Sequence, residues 1–419
     1  MTRGGLAEFR PRGRLSPHRR TCYAGPPPQS PIQGKSVSDN PRFIWLPALF
    51  GALLGLGLAR FAYTPLLPAL VDQDWLSEPE AAFAGAANLL GYLVGALCAQ
   101  ALAGRPERIA MLNGAMLAAA VSLLACAFPL GFVWITPWRF IAGVAGAFMI
   151  VLGPATVFAA TPPGSRARVS GLIFMGVGLG IVLSGTFLPA LAGLGLSVAW
   201  AVLGLVGFAL TALAWRRWPR TPIATPPSAA PAVGRGLTLV FVFAYAMDGA
   251  GFVPHTLFLS DFVARALGQG EVAGGFYWAI FGIGAAMGAP VCGLIASRFG
   301  LRETFVAGLA VKGLAIALPL VSTGAASLML TAFLVGALTP ALAALAAGVS
   351  TTLAQGPAQA RLFGAMTIAF ALAQATAGFA LSWLFATSQD HMILFAIGSA
   401  LLLIGALAAG AATMRMGRT

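Results

Sequence analysis

GLGLARFAYTPLLPAL, residues 55 to 70, sets an arginine in an apolar run and two prolines just beyond it. From Phe43 to Val71 no other residue is charged. About 20 helical residues, at 1.5 Å each, cross a hydrocarbon core of about 30 Å, so this run is long enough to span a bilayer. An arginine at the centre of such a helix costs about 2.5 to 3.5 kcal/mol on insertion scales, and residues of this kind usually face a cavity or a partner. Arg60 therefore raises two questions, what solvent surrounds the chain and what offsets the charge.

Composition answers the first. The 419 residues are 58% hydrophobic and 9% charged, with mean hydropathy +0.86, where soluble domains carry about 25% charged residues. Apolar segments recur at approximately 43 to 70, 81 to 103, 109 to 129, 132 to 160, 169 to 192, 197 to 218, 237 to 260, 274 to 296, 304 to 321, 325 to 350, 362 to 385 and 391 to 413. They are continuously apolar and rich in Leu, Ala and Gly, unlike the alternating strands of a barrel, so twelve transmembrane helices are expected. No secretory signal is visible in residues 1 to 40, which are rich in Arg and Pro.

A net charge of +13 could suggest a nucleic-acid partner, but the distribution argues for a bilayer. Of the 25 basic residues, 21 fall in the N-terminal tail, the even-numbered connections and the C-terminal tail; Arg60, Arg139 and Lys312 lie inside segments, and Arg265 alone lies in an odd-numbered connection. The odd connections hold Asp72, Asp74, Glu78, Glu80, Asp261, Glu271 and Asp390. The positive-inside rule then expects both termini in the cytoplasm and the chain in the inner (cytoplasmic) membrane. Trp45, Trp134, Trp138, Trp200, Trp215, Trp218 and Trp383 near segment ends, Trp75 in a connection and Trp278 near a segment start are expected as interfacial anchors.

The Pro-rich stretch from Pro219 to Gly236 divides six segments from six. The expected domains are a basic tail over 1–42 without fixed structure, a six-helix bundle over 43–218, a linker over 219–236, a second bundle over 237–413 and a short tail over 414–419. A shift of 193 residues superposes Gly91 and Gly95 on Gly284 and Gly288, Phe140 and Gly143 on Phe333 and Gly336, and Gly185 on Gly378. A common offset implies duplicated halves. Two halves of like orientation describe the parallel repeat of a carrier with its site between them.

With these features the segment from about 43 to 413 resembles the major facilitator superfamily, and its motifs resemble the YbfB/YjiJ-like branch. The resemblance is carried by GLGLARFAYTPLLPAL, AANLLGYLVGAL at 86 to 97, GFVPHTLFLSDFVARALGQG at 251 to 270, YWAIFGIGAAMGAP at 277 to 290, and the Arg139, Gly143, Ala147 spacing in WRFIAGVAGAF. It implies an all-α integral membrane fold of two pseudo-symmetric six-helix bundles, with the first, fourth, seventh and tenth helices lining a central cavity. AGRPERI keeps Gly104, Arg105 and Arg108 of the superfamily's cytoplasmic signature but lacks its Asp, so these three are candidate gate residues in a rearranged form.

Arg60, Arg139 and Asp248 fall on three of the implied cavity helices. Two arginines could form a fork for a carboxylate or phosphate; the alternative is snorkelling or a bond to helix backbone. Tyr63, Asn88, Tyr92 and Gln374 complete the substrate-binding candidates. Asp248, twelve residues into its segment, could exchange a proton as access alternates, with His255 two turns on along the same face; the alternative is a fixed ion pair with one of the arginines. Lys312, on the implied peripheral ninth helix, is expected to be snorkelling or structural. Arg60 would be offset by an anion, either substrate or Asp248.

No GxxxxGK[ST], HExxH or GxSxG occurs, and the three histidines are widely separated in sequence, so neither a nucleotide-driven motor nor an enzyme is expected. The expected function is secondary transport of a small molecule by alternating access, coupled to a proton and working as a monomer without metal or cofactor. An organic anion is one substrate class. A lipophilic or cationic compound expelled with Asp248 as counter-charge is the other.

Overall fold

The computed structural model describes residues 43–162, 165–221, 235–354 and 356–416. The N-terminal tail and most of the linker expected from the sequence lie outside these residues. Among the described residues there are twelve helices long and apolar enough to cross a membrane, and no strand. We label them α1 (Leu46–Asp72), α2 (Glu78–Leu102), α3 (Arg108–Ala125), α4 (Phe132–Ala159), α5 (Arg168–Gly193), α6 (Leu196–Ala214), α7 (Gly236–Ala266), α8 (Gly270–Phe299), α9 (Leu301–Val321), α10 (Ala325–Leu353), α11 (Arg361–Ser388) and α12 (His391–Met414). The α1–α2, α7–α8 and α11–α12 connections share what we call the acidic face, opposite the basic face that carries Arg105, Arg298 and Arg302.

Large apolar side chains such as Phe187, Leu205, Leu294, Leu314 and Leu407 are exposed around the perimeter, as a hydrocarbon solvent permits and water does not. With no hydrophobic drive between helices in lipid, small residues bring them together. In the first bundle a Cβ at Gly91 of α2 would collide with the Phe140 carbonyl of α4, and one at Gly143 with the Asn88 carbonyl. In the second bundle Gly284 of α8 meets the Phe333 carbonyl of α10, and Gly336 meets that of Phe281. Each of these contacts is its counterpart shifted by 193 residues, so the sequence repeat is also a packing repeat. The same shift relates the seams between bundles: Gly185 of α5 lies against Ala279 of α8, and Gly378 of α11 against Ala86 of α2.

The tryptophans depart from expectation. Trp215 and Trp383 are exposed, but Trp200, Trp218 and Trp278 are fully buried. Their indoles serve the interior: Trp218 Nε1 donates to Asn113 Oδ1 at 3.1 Å, and Trp278 reaches the other bundle, as described below. A helix end near an interface does not fix whether the side chain points to lipid or inward.

Helix α1 is not continuous. It opens into a π-helical turn over Leu53–Leu58 and then a turn before the α-helix resumes at Tyr63. Ala59 N bonds Leu54 O and Phe61 N bonds Leu56 O, both five residues back. Tyr63 N bonds Arg60 O at 3.4 Å, and so leaves the Ala59 carbonyl. Pro65 has no N–H for the Phe61 carbonyl four residues back. The segment around Arg60 thus exposes carbonyls that something else must satisfy.

Candidate functional site

Two residues from other helices meet that demand. Arg139 of α4 donates through Nη1 to Ala59 O at 2.7 Å and through Nη2 to Arg60 O at 3.4 Å. Trp278 of α8, in the opposite bundle, donates through Nε1 to Phe61 O at 3.0 Å. Arg139 also lies over the rings of Tyr63, at 4.5 Å from the centroid, and Trp200, at 5.9 Å. A guanidinium facing freed carbonyls and two aromatic faces is stabilised without a carboxylate. Of the two readings open for Arg139, the bond to helix backbone is the one observed, so its fork is already engaged.

Arg60 is placed differently. It is buried, yet its Nε and Nη2 have no hydrogen-bond partner. Its nearest compensation is aromatic: Cζ lies 5.1 Å from the ring centroids of both Phe61 and Tyr92. Arg60, Tyr63, Asn88 and Arg139 of the first bundle and Thr256 and Leu257 of α7 line a small cavity of about 10 Å³, near the minimum for one water molecule. The bundles meet beside it, where Thr64 Oγ1 donates to the Thr256 carbonyl.

Asn88 Nδ2 donates to the Arg139 carbonyl at 2.9 Å, while its Oδ1 has no partner. Tyr63 is tied down, its hydroxyl donating to Ala81 O at 2.6 Å. Gln374 of α11 is fully buried with neither Nε2 nor Oε1 bonded, one turn from Gly378, whose neighbours are Leu89 and Ala86 of α2. Buried polar groups are normally satisfied. Three of the residues with unsatisfied atoms, Arg60, Asn88 and Gln374, lie on α1, α2 and α11, helices that meet the opposite bundle.

Asp248 does not meet an arginine. Its Oδ1 accepts from Lys312 Nζ at 2.7 Å, and both side chains are fully buried. The Lys312 ammonium also lies 4.5 Å from the Phe252 ring centroid. Lys312 therefore neither snorkels nor stands at the periphery; it is the counter-ion of Asp248, whose Oδ2 is left without a donor. His255 turns into its own bundle, where Nε2 shares a 2.7 Å hydrogen bond with Thr331 Oγ1 of α10 and its ring packs edge-on against Phe395 of α12. Asp248 and His255, two turns apart on α7, are each bonded to a partner on a different neighbouring helix, Lys312 of α9 and Thr331 of α10.

On the basic face, Gly104 has open space around it and Arg105 is exposed. Arg108 is buried and donates through Nη2 to the Thr221 carbonyl. No carboxylate is ion-paired with any of these three gate candidates among the described residues.

Sequence reasoning missed Trp278, Thr64 and the partnership of Lys312. Pro65 was the available signal for the first, since it marks Phe61 O as the carbonyl needing an outside donor. Lys312 could be paired only by knowing which faces of α7 and α9 meet.

Two pseudo-symmetric six-helix bundles enclosing a polar, cationic cavity define a membrane transporter of the major facilitator type. The chain belongs to the family described as "Uncharacterised MFS-type transporter YbfB", whose model matches residues 52–410. It is 25% identical over 288 residues to the uncharacterized MFS-type transporter YceJ of Bacillus subtilis (strain 168), a match covering 66% of this chain and 72% of that one. Among solved structures it is similar to a D-xylose-proton symporter, with TM-score 0.69 and 15% identity over 87% of this chain and 96% of that one. A bacterial homolog to the human lysosomal transporter Spinster, in an inward-facing and occupied conformation, gives 0.66 and 16% over 89% and 96%. At these identities the structures show the common fold.

Proposed function

We propose that the protein is a secondary transporter of a small organic anion, working by alternating access of the cavity between the bundles. One observation carries the substrate class: Arg60 is a buried guanidinium with unpaired donors, and among the described residues no carboxylate is ion-paired with it. A guanidinium presents donors in a fork that fits a carboxylate or phosphate. Asn88 and Gln374 supply further polar atoms, and Phe61, Tyr63 and Tyr92 supply aromatic walls. The competing reading needs Asp248 as counter-charge for a cation, and Lys312 already holds that position.

In this reading the coupling ion is a proton taken up by Asp248. Protonation would remove the charge that holds Lys312, which loosens the link between α7 and α9 beside Phe252, where α7 is interrupted between α-helical stretches ending at Gly251 and resuming at Val253. His255 serves as a packing residue of the second bundle. The charge bias of the connections supports an inner-membrane location with both termini cytoplasmic, the basic face inside and the acidic face outside, and a single chain contains a complete cavity. The carrier performs no bond chemistry.

The test is thermal stability of the purified protein in detergent against panels of organic anions and organic cations. A ligand at about a hundred times its Kd stabilises by about 2.7 kcal/mol. Anion stabilisation that disappears in Arg60→Ala is the expected result. Cation stabilisation that disappears in Asp248→Asn would replace this reading with cation efflux.

A further inference from the structure

Arg265 is the one basic residue among the odd-numbered connections, on a face otherwise acidic. All three of its guanidinium nitrogens are engaged. Nε lies 3.1 Å from Asp72 Oδ1 at the end of α1, Nη2 pairs with Glu78 Oε1 at the start of α2, and Nη1 lies 3.2 Å from Asp261 Oδ1 on its own helix. The first two carboxylates belong to one bundle and the third to the other.

Further hydrogen bonds support Arg265's surroundings on both bundles. On the first bundle the start of α2 is fixed by a capping box, with Ser77 N and Oγ donating to Glu80 Oε2 at 2.9 and 2.8 Å. On the second, Asp261 is fully buried and its Oδ2 is held by His391 Nε2 of α12 at 2.8 Å. His391 in turn sits among the rings of Phe258, Phe262 and Phe385, at 6.3, 5.6 and 4.7 Å. Arg265 is thus mounted on the second bundle by Asp261 and reaches across to two acids of the first.

The geometry points to Arg265 as the positioning residue that holds the acidic face closed during transport, an inference that rests on the alternating-access reading above. A motion that opens the basic face leaves all three pairs intact. One that opens the acidic face separates Arg265 from Asp72 and Glu78 while it stays with Asp261 and His391. The energy of this latch therefore enters the equilibrium between the two open forms without touching the cavity.

The test uses the full chain in proteoliposomes, with the native cysteines replaced and Leu257→Cys introduced as a probe beside the cavity. Its rate of reaction with a membrane-impermeant maleimide applied to the acidic face reports opening on that side. Arg265→Gln is expected to raise that rate about tenfold, equivalent to about 1.4 kcal/mol. Glu78→Gln, which removes one contact from the other bundle, is expected to raise it by a smaller factor, and Arg265→Lys to restore part of the closure. Gel filtration and an unchanged unfolding midpoint identify folded variants, and Glu78→Gln carries the test where Arg265→Gln fails to fold. Rates within twofold of the parent in both variants would overturn the latch while leaving the transporter reading standing. A probe that reacts from neither face, in parent or variant, would overturn alternating access and the latch with it.

Discussion

The Asp248–Lys312 pair offers the sharpest energetic prediction. The two side chains are fully buried and 2.7 Å apart. Removing one member of a buried ion pair costs about 3 to 5 kcal/mol, because the other charge is left uncompensated. Replacing both by apolar residues of similar volume is commonly neutral or stabilising, by about 1 to 4 kcal/mol. Lys312→Met therefore strands a carboxylate whose Oδ2 already lacks a donor, whereas Asp248→Leu with Lys312→Met strands nothing. At roughly 1 to 2 °C per kcal/mol, extending the size scaling of soluble domains, the single variant should lower the unfolding midpoint in detergent by about 5 °C. The double variant should recover to the parent value or above, and adding the Asp248→Leu single variant closes the cycle that gives the coupling energy. The double variant should also lose any dependence of transport on the proton gradient. A Lys312→Met protein as stable as the parent, or a double variant no better than the single, would refute the reasoning.

Three further outcomes follow from the same contacts. Arg139→Met leaves the Ala59 carbonyl without a donor and Arg60 O with Tyr63 N alone, at about 1 to 3 kcal/mol for an unmet buried group; the unfolding midpoint should fall, and Arg139→Lys should recover only part because one ammonium lacks the planar fork. Gly288→Leu drives a side chain into the Ala337 carbonyl of α10, and a monodisperse folded peak on gel filtration at normal yield would contradict the packing described. Arg60→Met removes a buried charge with no ionic partner, so the ligand-free protein should unfold at the same temperature or higher even as anion stabilisation is lost; a midpoint lowered by several degrees would mean that Arg60 is structural.

Much of the fold was legible because lipid imposes simple rules. Segment length, the alternation of charge between connections and the 193-residue offset are each one-dimensional signals, and the glycine contacts between α2 and α4 and between α8 and α10 repeat that offset in space. Arg60 was legible for the same reason, as the lone charge in a long apolar run. What could not be read was azimuth. The sequence places Asp248 and Lys312 in the interior of their segments and His255 two turns further along α7, but does not say which surfaces face each other, so the pairing of Asp248 with Lys312 and of His255 with Thr331 emerged only from the packed bundle. Arg139 illustrates a second limit: its partners are the Ala59 and Arg60 carbonyls beside the break in α1, and unlike Phe61 O, which Pro65 marks, these have no marker in the sequence. The buried Trp200, Trp218 and Trp278 mark a third, since proximity to a segment end does not say whether an indole faces lipid or core.

An anion at Arg60 is best tested with a matched pair of ligands, an organic carboxylate that stabilises the protein and its uncharged carboxamide, titrated into the parent and into Arg60→Ala. Losing one partner of a buried, hydrogen-bonded charge pair costs about 2 to 5 kcal/mol, so the parent should prefer the carboxylate by at least about 30-fold, and Arg60→Ala should bind the two about equally. Equal affinity of both ligands for the parent, or the same preference surviving in Arg60→Ala, would show that the charge in GLGLARFAYTPLLPAL serves something other than the cargo.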